Sequence, residues 1–372
     1  MDFSFSIATT EDDADIRLLL ASNAMPGNIE VTFEREPNYF TGCGTMGHRW
    51  QVLVGRHQPS NEIAAVLCRG IQARYVNGQV RPVGYLGQLR VAHAYRGRWV
   101  LVHGIKALRK LHEDGETDLY LSAISEENRV ARGVLVDRPR PGFPQMHEVA
   151  RLHTLGIVLH RARLGWRRAR SRTDLTIARA SSEQASELVS FLRQEGPKRQ
   201  FFPSYTEKDL SGPLTRGFCL EDMLVARYRS QIVGIVGLWD QTSYKQTVVQ
   251  SYSKTLRRLR PIYNLLAPFV RAQPLPGTGS HIRSAYASFI CIADDDPQVF
   301  VALLDRLYQL ALARRHAYLM IGLAEHDPLL ALAKSYTHIA YHSRLYSVCW
   351  PDGQNSQTLL DSRVPYIEIA AL

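Results

Sequence analysis

Pro82-Val83-Gly84-Tyr85-Leu86-Gly87-Gln88-Leu89-Arg90-Val91, followed by Ala92-His93-Ala94-Tyr95-Arg96-Gly97-Arg98, is the stretch from which the chain is read. The first ten residues form an apolar run, read as a strand whose two glycines either loosen its pairing or mark a bulge. The next seven make a basic turn. Trp99, Val100, Val102, Ile105, Leu108 and Leu111 then recur at helical spacing until Glu113-Asp114-Gly115 ends the period. Asp118 to Ile124 is a short apolar strand, and Glu126 to Leu135 opens a second helix. The order is strand, basic turn, helix, strand, helix.

Upstream, Trp50–Arg56 and Glu62–Gly70 read as strands joined by His57-Gln58-Pro59-Ser60-Asn61. Asn77-Gly78 predicts a hairpin into the strand that starts near Pro82. Ser4–Ala8 is a first strand, and Thr10-Glu11-Asp12-Asp13 caps a helix that runs to about Asn23. Between them, Met25–Phe40 is rich in turn residues and aromatics and carries Glu30, Glu34 and Glu36. Those acids either bind a cationic amine or face water. Downstream, Gln145–Leu152 and Leu155–Arg161 read as a closing pair of strands.

The plan then repeats after a basic, polar run. Asp174–Ala180 followed by Ser181–Leu192 is again strand, cap and helix, and paired strands turn at Arg229-Ser230. An amphipathic helix is expected within 255–272. The strand Ala285–Ile292 leads into Ala293-Asp294-Asp295-Asp296-Pro297, whose carboxylates would repel a phosphate. His338–Ala340 and Leu345–Trp350 close the second unit, where Tyr341, Arg344 and Tyr346 form an aromatic and basic patch. The expected organisation is one domain over 1–163, a linker over 164–173 and a second domain over 174–372.

The stretch 82–135 resembles the acyl-CoA-binding core of the GNAT superfamily of acyltransferases. The resemblance rests on Arg90-Val91, on Tyr95-Arg96-Gly97-Arg98 and on Asn128-x-x-Ala131. It implies an α/β (α+β) fold of two tandem GNAT-like domains, each a mixed, mostly antiparallel sheet flanked by helices. It also implies acetyl-CoA or another acyl-CoA as co-substrate and an amine as acceptor. Leu89, Arg90, Val91, Arg96, Gly97, Arg98, Trp99, Val100 and Asn128 would hold the cofactor. The chemistry is that of main-chain N–H groups at a helix N-terminus beside arginine, which suit a pyrophosphate. The chain departs from the family pattern at Trp99 and Leu101, where small residues are usual and side chains would crowd that approach. Gln88 stands on the strand where the family often has Glu; it can orient a water but cannot take a proton. Leu135 stands where a Tyr is common. Tyr85 and Glu126 join Gln88 as the candidate catalytic residues, with Tyr120 and His93 also within the motif. The resemblance implies an N-acyltransferase; a non-catalytic binding or scaffold protein of the same fold is the alternative.

Composition bounds the rest. At 372 residues the chain suits two domains, and 45% hydrophobic with 22% charged residues is globular. No apolar run reaches the roughly 18–20 residues that span a bilayer, and the first residues are too short and too little basic for a signal peptide. A cytoplasmic location is therefore expected. Five scattered cysteines and thirteen histidines show no CxxC or HExxH spacing, so no metal is expected. The net charge of +10 favours anionic partners. The arginine clusters at 161–163, 167–172 and 257–260 contain no interleaved aromatics, so nucleic acid is not the expected partner.

Overall fold

The structure, a computed structural model, describes residues 2–25, 27–97, 99–138, 140–160, 174–267, 269 and 273–372. The first half runs β1 (Phe3–Ile7), α1 (Asp13–Ala21), β2 (Ile29–Glu34), β3 (Arg49–His57), β4 (Ile63–Val76), β5 (Gln79–Val91), α2 (Val100–His112), β6 (Tyr120–Ser125), α3 (Arg129–Arg132) and β7 (Gln145–Val158). The second runs β8 (Leu175–Arg179), α4 (Ala185–Glu195), β9 (Met223–Tyr228), β10 (Gln231–Trp239), β11 (Gln246–Tyr252), α5 (Lys254–Leu266), β12 (Ser284–Ile292), α6 (Pro297–Ala313), β13 (Tyr318–Ala324), α7 (Leu330–Lys334), β14 (His338–Cys349) and α8 (Gln354–Thr358).

Local chemistry sets most of these boundaries. Asn77 and Gly78 both take positive φ, 51° and 79°, and close the β4–β5 hairpin at the pair Val76–Gln79. Arg229 and Ser230 do the same between β9 and β10, with φ of 47° and 71°. The chain enters its first helical turn extended at Thr9, whose main-chain N–H donates to Asp12 at 2.7 Å. The cap is thus Thr9 rather than Thr10, because a 3₁₀ turn at Thr10–Asp12 precedes α1. The same device recurs where Ser181 N–H donates to Gln184 ahead of α4.

Among the described residues twelve strands form one sheet in the order β1-β3-β4-β5-β6-β14-β7-β13-β12-β10-β9-β8. Read from either edge, the two halves follow the same plan. The exception is at the centre, where the last strand of each half pairs into the other. β14 lies against β6 from Ser343–Ser125 to Val348–Tyr120, and β7 lies against β13 from Tyr318–Val158 to Ala324–Leu152. β7 and β14 also pair with each other along their whole length.

This corrects the reading of 145–161 as two strands, and of 338–340 and 345–350 as two more. Each is a single long strand, Gln145–Val158 and His338–Cys349. His153 and Thr154, between the two expected strands, lie inside the ladder, His153 buried between β13 and β14. The expected linker 164–173 lies outside the described residues, as do 268 and 270–272 of the helix expected over 255–272; α5 covers 254–266.

A second exchange lies over one face. β2, within the segment 25–40, pairs antiparallel with β11 of the other half, from Gln246–Glu34 to Tyr252–Ile29. Aliphatic and aromatic side chains of α4, α6, β9, β10, β12 and β13 make the large core of the second half. The first half divides its core between the α1 face, around Ile16, Leu20, Tyr39 and Val66, and the α2 face, around Leu53, Leu67, Leu108 and Tyr120.

Candidate functional site

β5 and β6 run parallel but pair only at Gly84–Tyr120 and Tyr85–Leu121. Beyond Tyr85, β5 continues to pair with β4 alone, so the sheet splits. The split has a local cause. The β4–β5 register shifts between Val66–Arg90 and Cys68–Gly87, and Gln88, with φ of 56°, is the extra residue of the bulge. A bulge bends its strand and redirects the residues after it. Here it swings Leu89, Arg90 and Val91 away from β6 and leaves main-chain groups without a partner strand. The two glycines in the sequence are not the bulged residue; a Cβ at Gly87 would sit 2.6 Å from the Tyr85 ring, which is why that position is bare.

The second half repeats this geometry. β12 and β13 are parallel and pair only at Ser284–Tyr318, Ala285–Leu319 and Tyr286–Met320. The β10–β12 register shifts between Ile235–Cys291 and Gly237–Ser288, across Phe289, whose φ is 55°. Tyr286 stands three residues before Phe289 as Tyr85 stands three before Gln88. The two splits differ in what occupies them. In the second, the Glu368 carboxylate accepts from Phe289 N–H at 2.9 Å and the Tyr366 hydroxyl accepts from Ile290 N–H at 3.3 Å. Ile369 follows them in, so close to Gly322 that a Cβ there would meet its Cγ2 at 2.2 Å. The segment 366–370 enters the second split at its bulge, and nearer the mouth a cavity of about 90 Å³ remains between Ile290, Ile292, Leu323 and Tyr366.

The mouths differ too. At the second, Asp296 accepts from Gln298 and Val299 N–H and so closes the first turn of α6. Asp295 is held by Arg199, which also pairs with Asp327 at 2.9 Å. The expectation that this turn cannot take a phosphate has a structural counterpart: its helix donors and its carboxylates are already engaged. At the first mouth the connection from strand to helix is eight residues long against four at the second, and α2 starts at Val100, with Trp99 at the cap position and no side-chain cap. Its first N–H groups therefore remain available to an anion.

The residues singled out from the sequence fall as follows. Leu89 and Val91 line the diverging strand, half-buried. Arg90 turns inward and donates to Leu89 O at 3.0 Å. Arg96 is exposed but tethered to Asn23 at 2.7 Å. Gly97, at φ 78°, makes the left-handed turn. Arg98 lies outside the described residues. Trp99 is 63% exposed, with the Arg140 guanidinium carbon 4.8 Å from its ring centre, and its side chain points to solvent. Val100 is buried in the core, so only its main chain faces the mouth. Asn128 caps α3 by accepting from Ala131 N–H at 3.0 Å. Tyr85 sits at the fork, fully buried, and burial pushes its hydroxyl up to about 12. Glu126 is gripped by Arg151 through two bonds of 2.9 Å and by Arg344 at 3.2 Å. The Arg151 hydrogen bonds hold its carboxyl below the ordinary range. Arg344 in turn holds Glu148, so the patch around Tyr341 and Tyr346 is an ion-pair network on β14. Glu30, Glu34 and Glu36 bond Ser251, Thr32 and Arg17 along the β2–β11 ribbon and its neighbour α1.

Sequence reading missed a set of buried cations, of which Arg35 acts on both Arg90 and Lys245. Arg35 and Arg74 are almost fully buried. Their described hydrogen bonds go to Cys43 Sγ and Phe201 O, and Arg74 Nε has no described partner. Lys245 points in from the turn before β11 and donates to the main-chain oxygens of Leu372, at 2.6 Å, and Ala370, at 3.3 Å. Burial, reinforced by Arg35, lowers the Lys245 ammonium to about 7. Burial likewise lowers Arg90, with Arg35 adding repulsion. Nothing in their sequence neighbourhoods signals this, because each comes from a different loop or strand.

No family model matches the sequence, and no curated protein matches it significantly. Solved structures do match. N-myristoyltransferase of Saccharomyces cerevisiae with bound myristoyl-CoA superposes with a TM-score of 0.62 at 10% identity, over 93% of this chain and 82% of that one. A GCN5-related N-acetyltransferase from Sphaerobacter thermophilus gives 0.55 at 11% identity, over 99% and 98%. The GCN5-related glucosamine N-acetyltransferase region of a fungal multi-domain GH3 β-N-acetylglucosaminidase gives 0.58 at 13% identity, over 93% of this chain and 38% of that one. At these identities the likeness is one of fold.

Proposed function

We propose that this chain, which carries the GNAT fold in tandem as N-myristoyltransferase does, transfers an acyl group from acyl-CoA to an amine, using the split of its first half. One observation carries the reading: of two splits built alike, the bulge N–H groups of the second donate to Glu368 and Tyr366, and among the described residues no side chain accepts from those of the first. The pantetheine arm would lie along the free edge of β5 at Gln88, Leu89 and Arg90, and the pyrophosphate at the uncapped start of α2. Trp99 points to solvent, so it leaves the main chain there approachable.

In the reaction the amine nitrogen attacks the thioester carbonyl, the C–S bond breaks, the amine loses a proton and the CoA thiolate gains one. Backbone N–H groups at the bulge are the donors available to the developing oxyanion. Tyr85, whose hydroxyl stays protonated at the fork, is the hydrogen-bond donor available to the leaving thiolate; Gln88 orients a water or the acceptor. Glu126, locked between Arg151 and Arg344, holds the β6–β14–β7 junction together. Arg35 and Arg90 give the acceptor side buried positive charge beside Lys245, which suits an amine that also bears a negative group.

The test is calorimetric titration of the full chain with acetyl-CoA, myristoyl-CoA and free CoA at low and moderate salt, which separates site binding from attraction to a +10 protein. Binding near one per chain that survives moderate salt is expected, weakened at least tenfold by Leu101→Asp at the helix start. Absence of saturable binding to any of the three would overturn the reading and return the chain to a scaffold role.

A further inference from the structure

Helix α5 is amphipathic in the wrong sense for a helix packed on a protein. Its polar side faces the protein: Arg260 Nε donates to Leu275 O at 3.2 Å, and Asn264 exchanges two bonds with the Leu275 main chain, at 2.8 and 3.0 Å. Arg260 also lies over the Tyr252 ring, 5.6 Å from its centre. The apolar side, Leu259, Ile262, Tyr263 and Leu266, has the i, i+3, i+4, i+7 spacing of one helix face; its three aliphatic side chains point to solvent, while the Tyr263 hydroxyl donates to Gln273 O at 3.1 Å. Leu259 is 52% exposed, Ile262 59% and Leu266 51%, while Leu265 and Phe269 beside them reach 70% and 81%. No residue of the helix is buried. A stripe this continuous has a partner in use, because scattered exposed apolar residues are common but a full helix face is not.

The charges choose the partner. Lys254, Arg257 and Arg258 lie exposed on the same helix, and the ion pairs of the described residues include none of them. Isologous docking of a second copy would offer these cations no carboxylate, because α5 carries none. An anionic bilayer surface meets both features at once, taking the apolar face at the headgroup–acyl boundary and the cations at the phosphates.

We propose that α5 seats this protein on anionic membrane surfaces, lying in the interface rather than crossing it; no described helix is long and apolar enough to span. The inference stands on α5 alone and does not depend on the acyl-transfer reading. The experiment is co-sedimentation of the full chain with phosphatidylcholine vesicles and with vesicles that add phosphatidylserine at about one lipid in three. The wild type is expected to sediment with the anionic vesicles and to release as salt is raised. Arg257→Glu/Arg258→Glu should weaken binding at least tenfold, each cation being worth about fivefold. Leu259→Ser/Ile262→Ser/Leu266→Ser should abolish it; these side chains are exposed, so circular dichroism should show an unchanged fold. Tyr263→Trp should shift its emission to the blue on vesicles. A wild type that sediments with neither vesicle, or a triple-Ser variant that binds as well as wild type, overturns the proposal. So does a dimer, seen by light scattering, that the triple-Ser variant dissolves, since a second copy would then own the face.

Discussion

Removing the Glu368 carboxylate should release the segment that enters the second split. Glu368 is 3% exposed and accepts from Phe289 N–H at 2.9 Å, from the Tyr366 hydroxyl at 2.8 Å and from Ala370 N–H at 3.4 Å. Phe289 is the bulged residue of β12 and no strand offers it another acceptor on that side. Glu368→Leu therefore strands two well-formed buried donors, those of Phe289 and Tyr366. At roughly 1–3 kcal/mol each, the loss should be about 4 kcal/mol. Glu368→Gln keeps one acceptor oxygen and should cost far less. The two variants also separate by pH. Burial raises the Glu368 carboxyl above its ordinary 4.5, against the pull of the Phe289 and Tyr366 bonds. A carboxyl raised in the folded state favours folding most when protonated, so wild-type stability falls as pH climbs from about 4.5 through the folded value. Glu368→Gln, always neutral, should gain on wild type over that climb and hold its gain above it. Urea unfolding at several pH values reads both effects from the midpoint at unchanged slope. A Glu368→Leu cost below about 1 kcal/mol, or a Gln variant whose difference from wild type ignores pH, would refute the assignment of this carboxylate as the anchor.

Two further outcomes follow from charges elsewhere. Arg69, buried in β4, grips Asp114 past the end of α2 through bonds of 2.6 and 2.8 Å and also donates to the Tyr120 hydroxyl at 3.0 Å. Asp114→Ala should cost about 3–5 kcal/mol by leaving that cation unpaired. The Arg69 hydrogen bond also lowers the Asp114 carboxyl, so its contribution should be present above about pH 3.8 and be lost on acidification through the folded value; acid unfolding curves of wild type and variant read this directly. Lys245, lowered to about 7, should be mostly neutral at pH 7.5, when about one in a thousand ordinary lysines is. Labelling with a small amine reagent, read by mass spectrometry across pH, should give Lys245 a midpoint near 7 and exposed Lys208 and Lys334 none below pH 9; a Lys245 profile like theirs would contradict the buried positive charge beside it.

The acyl-binding reading began with residues 82–135, and much of that stretch was legible because its signals are local. Asn77-Gly78 permits the left-handed turn that a hairpin needs, the spacing from Trp99 to Leu111 marks the amphipathic α2, and Asn128 three residues before Ala131 is a cap. Tandem repetition was legible for the same reason, since strand, cap and helix recur from Leu175 onward with their own turn residues. The bulge at Gln88 was signalled only through its glycine neighbours, because the shift is a property of the β4–β5 register, and a register is set by two strands together.

What only the tertiary structure decided is everything carried by residues far apart in the chain. The exchange of β7 and β14 joins the halves into one sheet, because each strand completes the hydrogen-bonding edge the other half leaves open. The entry of Tyr366 and Glu368 into the second split requires a segment some 75 residues beyond β12 to return to it. The proximity of Arg35 to Arg90 and Lys245 depends on two loops and a strand meeting. The sequence showed the periodicity of α5; the direction in which its apolar face points was decided by Arg260 and Asn264, whose hydrogen bonds to Leu275 turn the polar side inward. Periodicity specifies that a helix has two faces, and only its contacts specify which of them meets water.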